Sequence, residues 1–180
     1  VFKVLDTQSN IEDFGTEKLT NFKGKIEFDK VSFSYVANEP VLKNISFQVE
    51  PGQTIALVGS TGAGKTTIIN LLNRFYDISS GAIRFDGKDI KTFSLKSLRK
   101  NVAVVLQDVF LFADTIFQNI TLGDPKHSLV DVKAAAKQIG IHDFISSLPG
   151  GYQYNVKERG AMLSSGQRQL ISFLRAYIIN

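Results

Sequence analysis

Residues Gly59 to Thr66 read Gly-Ser-Thr-Gly-Ala-Gly-Lys-Thr and match the spacing G-x-x-x-x-G-K-[ST]. These residue types suit a ligand with several anionic oxygens. Gly59, Gly62 and Gly64 let the backbone turn sharply and approach an anion without a Cβ in the way. The N–H groups of Ser60, Thr61, Ala63 and their neighbours can then point into one concavity and cradle phosphate oxygens. A helix beginning near Lys65 adds the positive end of its dipole, roughly half a charge. In that arrangement Lys65 reaches the β- and γ-phosphates of a nucleotide, Thr66 places its hydroxyl on Mg²⁺, and Thr67 lies near the α-phosphate. The bland alternative is a glycine-rich turn before a helix. Two fixed glycines with Lys and Ser/Thr arise by chance on the order of once per hundred chains of this size, so nucleotide binding is the stronger reading. Such a loop does not by itself choose among ATPases, GTPases and kinases. A guanine-reading Asn-Lys-x-Asp is absent, because Lys43-Asn44 has no Asp in the required place.

The elements around this loop are those it needs. Thr54 to Val58 is a short apolar run between turn signals, which predicts a strand buried on both faces. Thr66 to Phe75 places Ile68, Ile69, Leu71, Leu72 and Phe75 on one broad helical face, closed by Ser79-Ser80-Gly81. Upstream, Ile26 and Phe28, then Val31, Phe33 and Tyr35, alternate with polar residues. The phase slips at Asp29–Lys30, which predicts a bulge or a break between strands. Ile45, Phe47 and Val49 alternate again up to the Pro51-Gly52 turn, and Ile83 and Phe85 up to Asp86-Gly87. Strands with one polar face predict an antiparallel layer. Val102 to Leu106 predicts a second buried strand. Beyond it the pattern turns helical, with Val130–Ile139 and Ser165–Ile178 as the clearest helices. The expected class is α/β, with a β layer on one side and helices inserted late.

The composition sets outer bounds. A chain of 180 residues holds one domain with a real core, and 43% apolar with 21% charged residues excludes wholesale disorder. Lys and Arg number 21 against 17 Asp and Glu, so the net charge of +4 describes a mixed solvated surface rather than a nucleic-acid footprint. The lack of cysteine excludes disulfides and thiolate metal sites. No stretch approaches the roughly 18 apolar residues that span a bilayer, and Val-Phe-Lys-Val-Leu-Asp at the start has no signal-peptide core.

A second motif, Leu163-Ser-Ser-Gly-Gln-Arg-Gln169, opens the last helix about a hundred residues after the first. Ser164 and Gly166 at a helix N-terminus form another anion-binding end, although a Ser N-cap alone would also explain Ser164. The segment resembles the Leu-Ser-Gly-Gly-Gln signature of ABC ATPases, and with the phosphate loop the chain is similar to the ATP-binding domain of the exporter branch of that family. The resemblance covers essentially the whole chain and implies a P-loop NTPase core with an antiparallel β subdomain and an inserted α-helical subdomain at about 108–165. It implies ATP and Mg²⁺ as ligands, with Lys65 and Gln107 catalytic and Thr66 and Gln107 on the metal. Tyr35 would stack on adenine. Ser164, Ser165, Gly166 and Gln167 would cap the γ-phosphate of ATP held by a second ABC domain. Ser165 departs from the family's glycine, which puts affinity across that dimer in doubt.

The same resemblance implies that Gln107 to Ile120, including Val109-Phe-Leu-Phe112 and Thr115-Ile-Phe-Gln-Asn-Ile120, receives a transmembrane domain, and that Glu158-Arg159-Gly160 forms a cross-talk loop. Residues 1–21 would be a linker from that membrane domain, with Val1, Phe2, Val4 and Leu5 as the last turn of a helix, and 22–180 an incomplete ATP-binding domain. The protein would work at the cytoplasmic face of the plasma (inner) membrane, with this chain itself soluble. In the family an apolar strand ending in Asp-Glu and a later switch His follow the signature helix. The chain is expected to stop before them, to bind MgATP and to hydrolyse it poorly. Asp108, at the end of the run from Val102, is the alternative acid, but the match of Gln107 to the family's mobile Gln accounts for that segment better. His127 and His142 precede the signature and read as surface or packing residues. The competing functions are a non-transporter ABC ATPase, a small-molecule P-loop kinase, and a nucleotide-binding module without turnover.

Overall fold

The computed structural model describes residues 11–179. The helical turn expected at Val1 to Leu5 and the polar stretch Asp6 to Asn10 lie outside the described residues. The chain divides into two units, 1–102 and 103–180.

The first unit is built on a four-stranded sheet in the order β2-β1-β3-β4, comprising β1 (Ile26–Ser34), β2 (Pro40–Val49), β3 (Ser80–Phe85) and β4 (Lys88–Asp89), with every pair antiparallel. The slip at Asp29–Lys30 is a bulge. The β1–β2 register shifts between Phe28 and Val31, and Lys30 takes φ 49°. The bulge returns Phe28, Val31 and Phe33 to one buried face, where strict alternation would have sent Val31 and Phe33 to solvent. Gly81 of β3 packs against it so closely that a Cβ there would lie 2.4 Å from the Lys30 carbonyl oxygen.

Helix α1 (Lys65–Leu72) lays Ile68 and Leu71 onto the core formed by Phe28, Val31, Phe33, Leu42, Ile83 and Phe85, and helix α2 (Leu95–Lys100) adds Leu98. Burying side chains of this size stabilises the unit by about 1.5–3 kcal/mol each. The expected helix to Phe75 ends earlier, because Arg74 adopts φ 48°.

Residues 11–21, expected as a linker, lie along this unit and are tied to it. The Glu17 N–H donates to Thr92 O at 3.1 Å, the Ser94 N–H returns to Glu17 O at 3.0 Å, and Leu19 is buried. A polar composition disguised a segment held chiefly through its backbone.

The second unit is helical. Helices α3 (Ile116–Thr121), α4 (Leu129–Gln138), α5 (His142–Ser147) and α6 (Ser165–Ile179) enclose Leu111, Ile116, Ile120, Val132, Ala136, Ile145, Val156, Ile171 and Leu174. Fully buried Asn119 is satisfied three times. Its Oδ1 accepts from the Phe112 N–H at 2.8 Å, and its Nδ2 donates to Phe112 O and Thr115 O at 3.0 Å each. His142 shares a 2.9 Å hydrogen bond with the buried Tyr152 hydroxyl, which places it in packing.

The two buried strands expected at Thr54–Val58 and Val102–Leu106 do not form. Neither segment enters a ladder, and Val58 is 92% and Leu106 55% exposed. A strand buried on both faces needs neighbours on both sides, and among the described residues none pairs with either segment.

Candidate functional site

The loop ahead of α1 has the backbone its sequence demands. Gly62 and Gly64 both sit at φ 85°, the left-handed region that side chains rarely adopt. Gly64 has a second constraint, since a Cβ would meet Leu42 Cδ2 at 2.6 Å. The Ala63 N–H closes a turn on Ser60 O at 3.2 Å, and Gly64 O accepts the first helical bond from the Ile68 N–H at 3.0 Å. Lys65 folds back over the loop, and its ammonium donates to Gly59 O at 2.8 Å and Ser60 O at 2.7 Å. The cation is thereby held at the mouth of the loop by carbonyls that a phosphate oxygen can replace as partner. Gly59, Ser60, Thr61, Gly62 and Ala63 are exposed, as is Thr66. With no acid in its first turn, α1 keeps its positive end uncompensated.

Tyr35 follows β1 directly and is 46% exposed. Its hydroxyl lies 3.1 Å from Oγ1 of buried Thr67. The structure therefore joins Tyr35 to the phosphate-loop helix through the residue that sequence reasoning assigned to the α-phosphate. Sequence reasoning passed over Tyr76, which packs at right angles to Tyr35 with ring centroids 5.0 Å apart. The available signal was Phe75-Tyr76, adjacent aromatics just beyond a helix end.

In the second unit, Ser164 and Gln167 cap α6 reciprocally. The Gln167 N–H donates to Ser164 Oγ at 3.2 Å, and the Ser164 N–H donates to Gln167 Oε1 at 2.9 Å. Arg168 pins the turn through Leu163 O at 2.6 Å. Ser165 and Gly166 are exposed, and nothing would meet a Cβ at Gly166 within 4 Å. Exposed Gln107 accepts from Gln169 Nε2 through its backbone oxygen at 3.4 Å. Val105, Leu106, Gln107, Gly166, Leu170 and Phe173 line an open groove of ≈ 650 Å³. Phe110 and Phe112 stand exposed as an edge-to-face pair, centroids 5.2 Å apart. Glu158–Gly160 is a 3₁₀ turn strained at Arg159, φ 53°.

In the comparison with known families, residues 42–180 match the ABC transporter model. The chain belongs to the ABC transporter family.

The chain is 47% identical over 99% of its length to an uncharacterized ABC transporter ATP-binding protein, YknV, of Bacillus subtilis, covering 30% of that protein. It is 48% identical over 99% of its length to mouse ATP-binding cassette sub-family B member 6, covering 21% of it. A putative multidrug export ATP-binding/permease protein of Staphylococcus aureus is 45% identical over the whole chain, which covers 32% of it. Among solved structures, a bacterial Atm1-family ABC exporter with ATP bound superposes with TM-score 0.92 at 41% identity, over 99% of this chain and 32% of that one. The chain thus spans about a third or less of the length of these relatives, and its fold is that of an ABC ATPase. Among the described residues no helix is long and apolar enough to cross a membrane.

Proposed function

We propose that this chain is the ATP-binding and ATP-hydrolysing motor domain of an ABC export transporter. The observation that carries this is the loop Gly59–Thr66, in which Gly62 and Gly64 take left-handed φ and the Lys65 ammonium folds back onto Gly59 O and Ser60 O. Lys65 neutralises the β- and γ-phosphates, and Tyr35 stacks on the base. Thr66 would hold Mg²⁺ through its hydroxyl, and Gln107 is proposed on the family resemblance to orient the attacking water. The donor set suits Mg²⁺. Mg²⁺ takes few protein oxygens and completes its shell with waters and phosphates, so one hydroxyl can serve it.

Ser164, Ser165, Gly166 and Gln167 are proposed to meet the ATP of a second ABC domain. The 107–120 region, with Phe110 and Phe112 exposed, is proposed to receive a transmembrane domain at the cytoplasmic membrane face. The export role draws support from the names of the relatives. The test is calorimetric titration of the wild type and Lys65→Ala with MgATP. Saturable binding that weakens in the variant supports the reading, and a wild type that ignores MgATP sinks it.

A further inference from the structure

We infer that Tyr76 is a positioning residue for nucleotide-base recognition, acting through Tyr35. This rests on the nucleotide-binding reading above and extends it to a residue outside the motifs. Three rings form a triangle. Tyr35 stands perpendicular to Phe33 (4.8 Å, 86°) and to Tyr76 (5.0 Å, 89°), and Phe33 and Tyr76 close the third side at 5.7 Å. Phe33 is buried at the base, while Tyr35 and Tyr76 are 46% and 44% exposed. A half-exposed tyrosine beyond a strand end would ordinarily sample several rotamers. Here the hydroxyl is tethered to Thr67 and the ring is flanked by aromatic quadrupoles that favour perpendicular contact. Phe33 sits on the same strand as the chain leading into Tyr35, so Tyr76 supplies the support from a separate element.

That support is itself held firmly. In the turn after α1, Arg74 at φ 48° pairs with Asp77 at 2.8 Å and donates to Glu12 O at 3.0 Å. Arg99 donates to Asn73 O at 3.2 Å and Arg74 O at 3.0 Å, and its guanidinium lies over the Phe75 ring. The Ser79 N–H then returns the chain to Ser32 O of β1 at 2.9 Å, beside Phe33. Arg99 therefore fixes the backbone before Tyr76, the Arg74–Asp77 pair brackets it, and the Ser79–Ser32 bond holds the chain beyond it. Such fixing is not needed for a residue that merely covers the core with half of its surface in water. A preset stacking platform loses less freedom when a base settles on it.

The inference distinguishes ligands with a base from those without. Stacking accepts any base, because each has a π-face. Calorimetry on the full chain would compare MgATP, MgGTP and magnesium tripolyphosphate. Tyr76→Leu, which keeps apolar bulk but loses the ring, should weaken MgATP and MgGTP about three- to tenfold and leave tripolyphosphate unchanged. Tyr76→Phe should restore wild-type affinity. In a Tyr35→Ala background Tyr76→Leu should cost nothing further, because the two residues act as one unit. The inference is overturned if Tyr76→Leu binds MgATP like the wild type, if it weakens tripolyphosphate equally, or if its loss is undiminished without Tyr35. Wild-type protein that binds neither triphosphate nor tripolyphosphate overturns the nucleotide-binding reading, and this inference with it.

Discussion

Gly62 and Gly64 share a backbone angle and differ in their surroundings, which separates two costs usually confounded. Both sit at φ 85°, but only Gly64 has a neighbour, Leu42 Cδ2, where a Cβ would go. Gly62→Ala should therefore cost about 1–2 kcal/mol, the left-handed penalty alone. Gly64→Ala should cost that and about 1–3 kcal/mol more for overpacking. Urea denaturation checks this, and a Leu42→Ala partner change should couple to the Gly64 variant while adding independently to the Gly62 variant. Lys65 belongs to the same scale. Lys65→Ala should weaken MgATP about ten- to a hundredfold, the worth of a hydrogen-bonded charge, with the melting temperature little changed because the ammonium contacts exposed carbonyls.

Helix ends are where one element can serve both folding and function. Ser164 and Gln167 form a capping box, so Ser164→Ala should destabilise the second unit by about 0.5–2 kcal/mol whether or not nucleotide is present. Denaturation without ligand measures that, and a loss seen only with MgATP would show that the cap is idle. Helix α4 has a second box, in which the Ser128 hydroxyl and N–H hold the Asp131 carboxyl below its ordinary value. A depressed folded value stabilises above the unfolded one, near 3.8, and the benefit fades as pH falls through the folded value. Protection against amide exchange at the start of α4, relative to the intrinsic rate at each pH, should fall on acidification below about pH 4, and much less in Asp131→Asn. Periodicity and caps made these helices legible in the sequence to within about a turn. The bulge at Lys30 was legible for the same reason, since period two cannot slip without an extra residue. Thr54–Val58 and Val102–Leu106 were misread because composition reports β preference but not the partner strands. Tyr76 was missed because the fold, not spacing, brings it to Tyr35.

At the scale of the whole chain, binding and turnover draw on different residues. The phosphate loop is built within the first unit from local backbone geometry, so the proposed contacts of Tyr35 and Gly59–Thr67 lie in one unit. Turnover needs a carboxylate to polarise water. The resemblance places that acid after the signature helix rather than beside Gln107. Asp108 is the remaining acid beside Gln107, and it is exposed. Asp108→Asn should therefore leave the rate of phosphate release unchanged. A phosphate-release assay under saturating MgATP makes the comparison. A rate abolished by Asp108→Asn would make Asp108 the acid. It would also return Val102–Leu106 to the reading in which an apolar run carries a metal-binding carboxylate at its end.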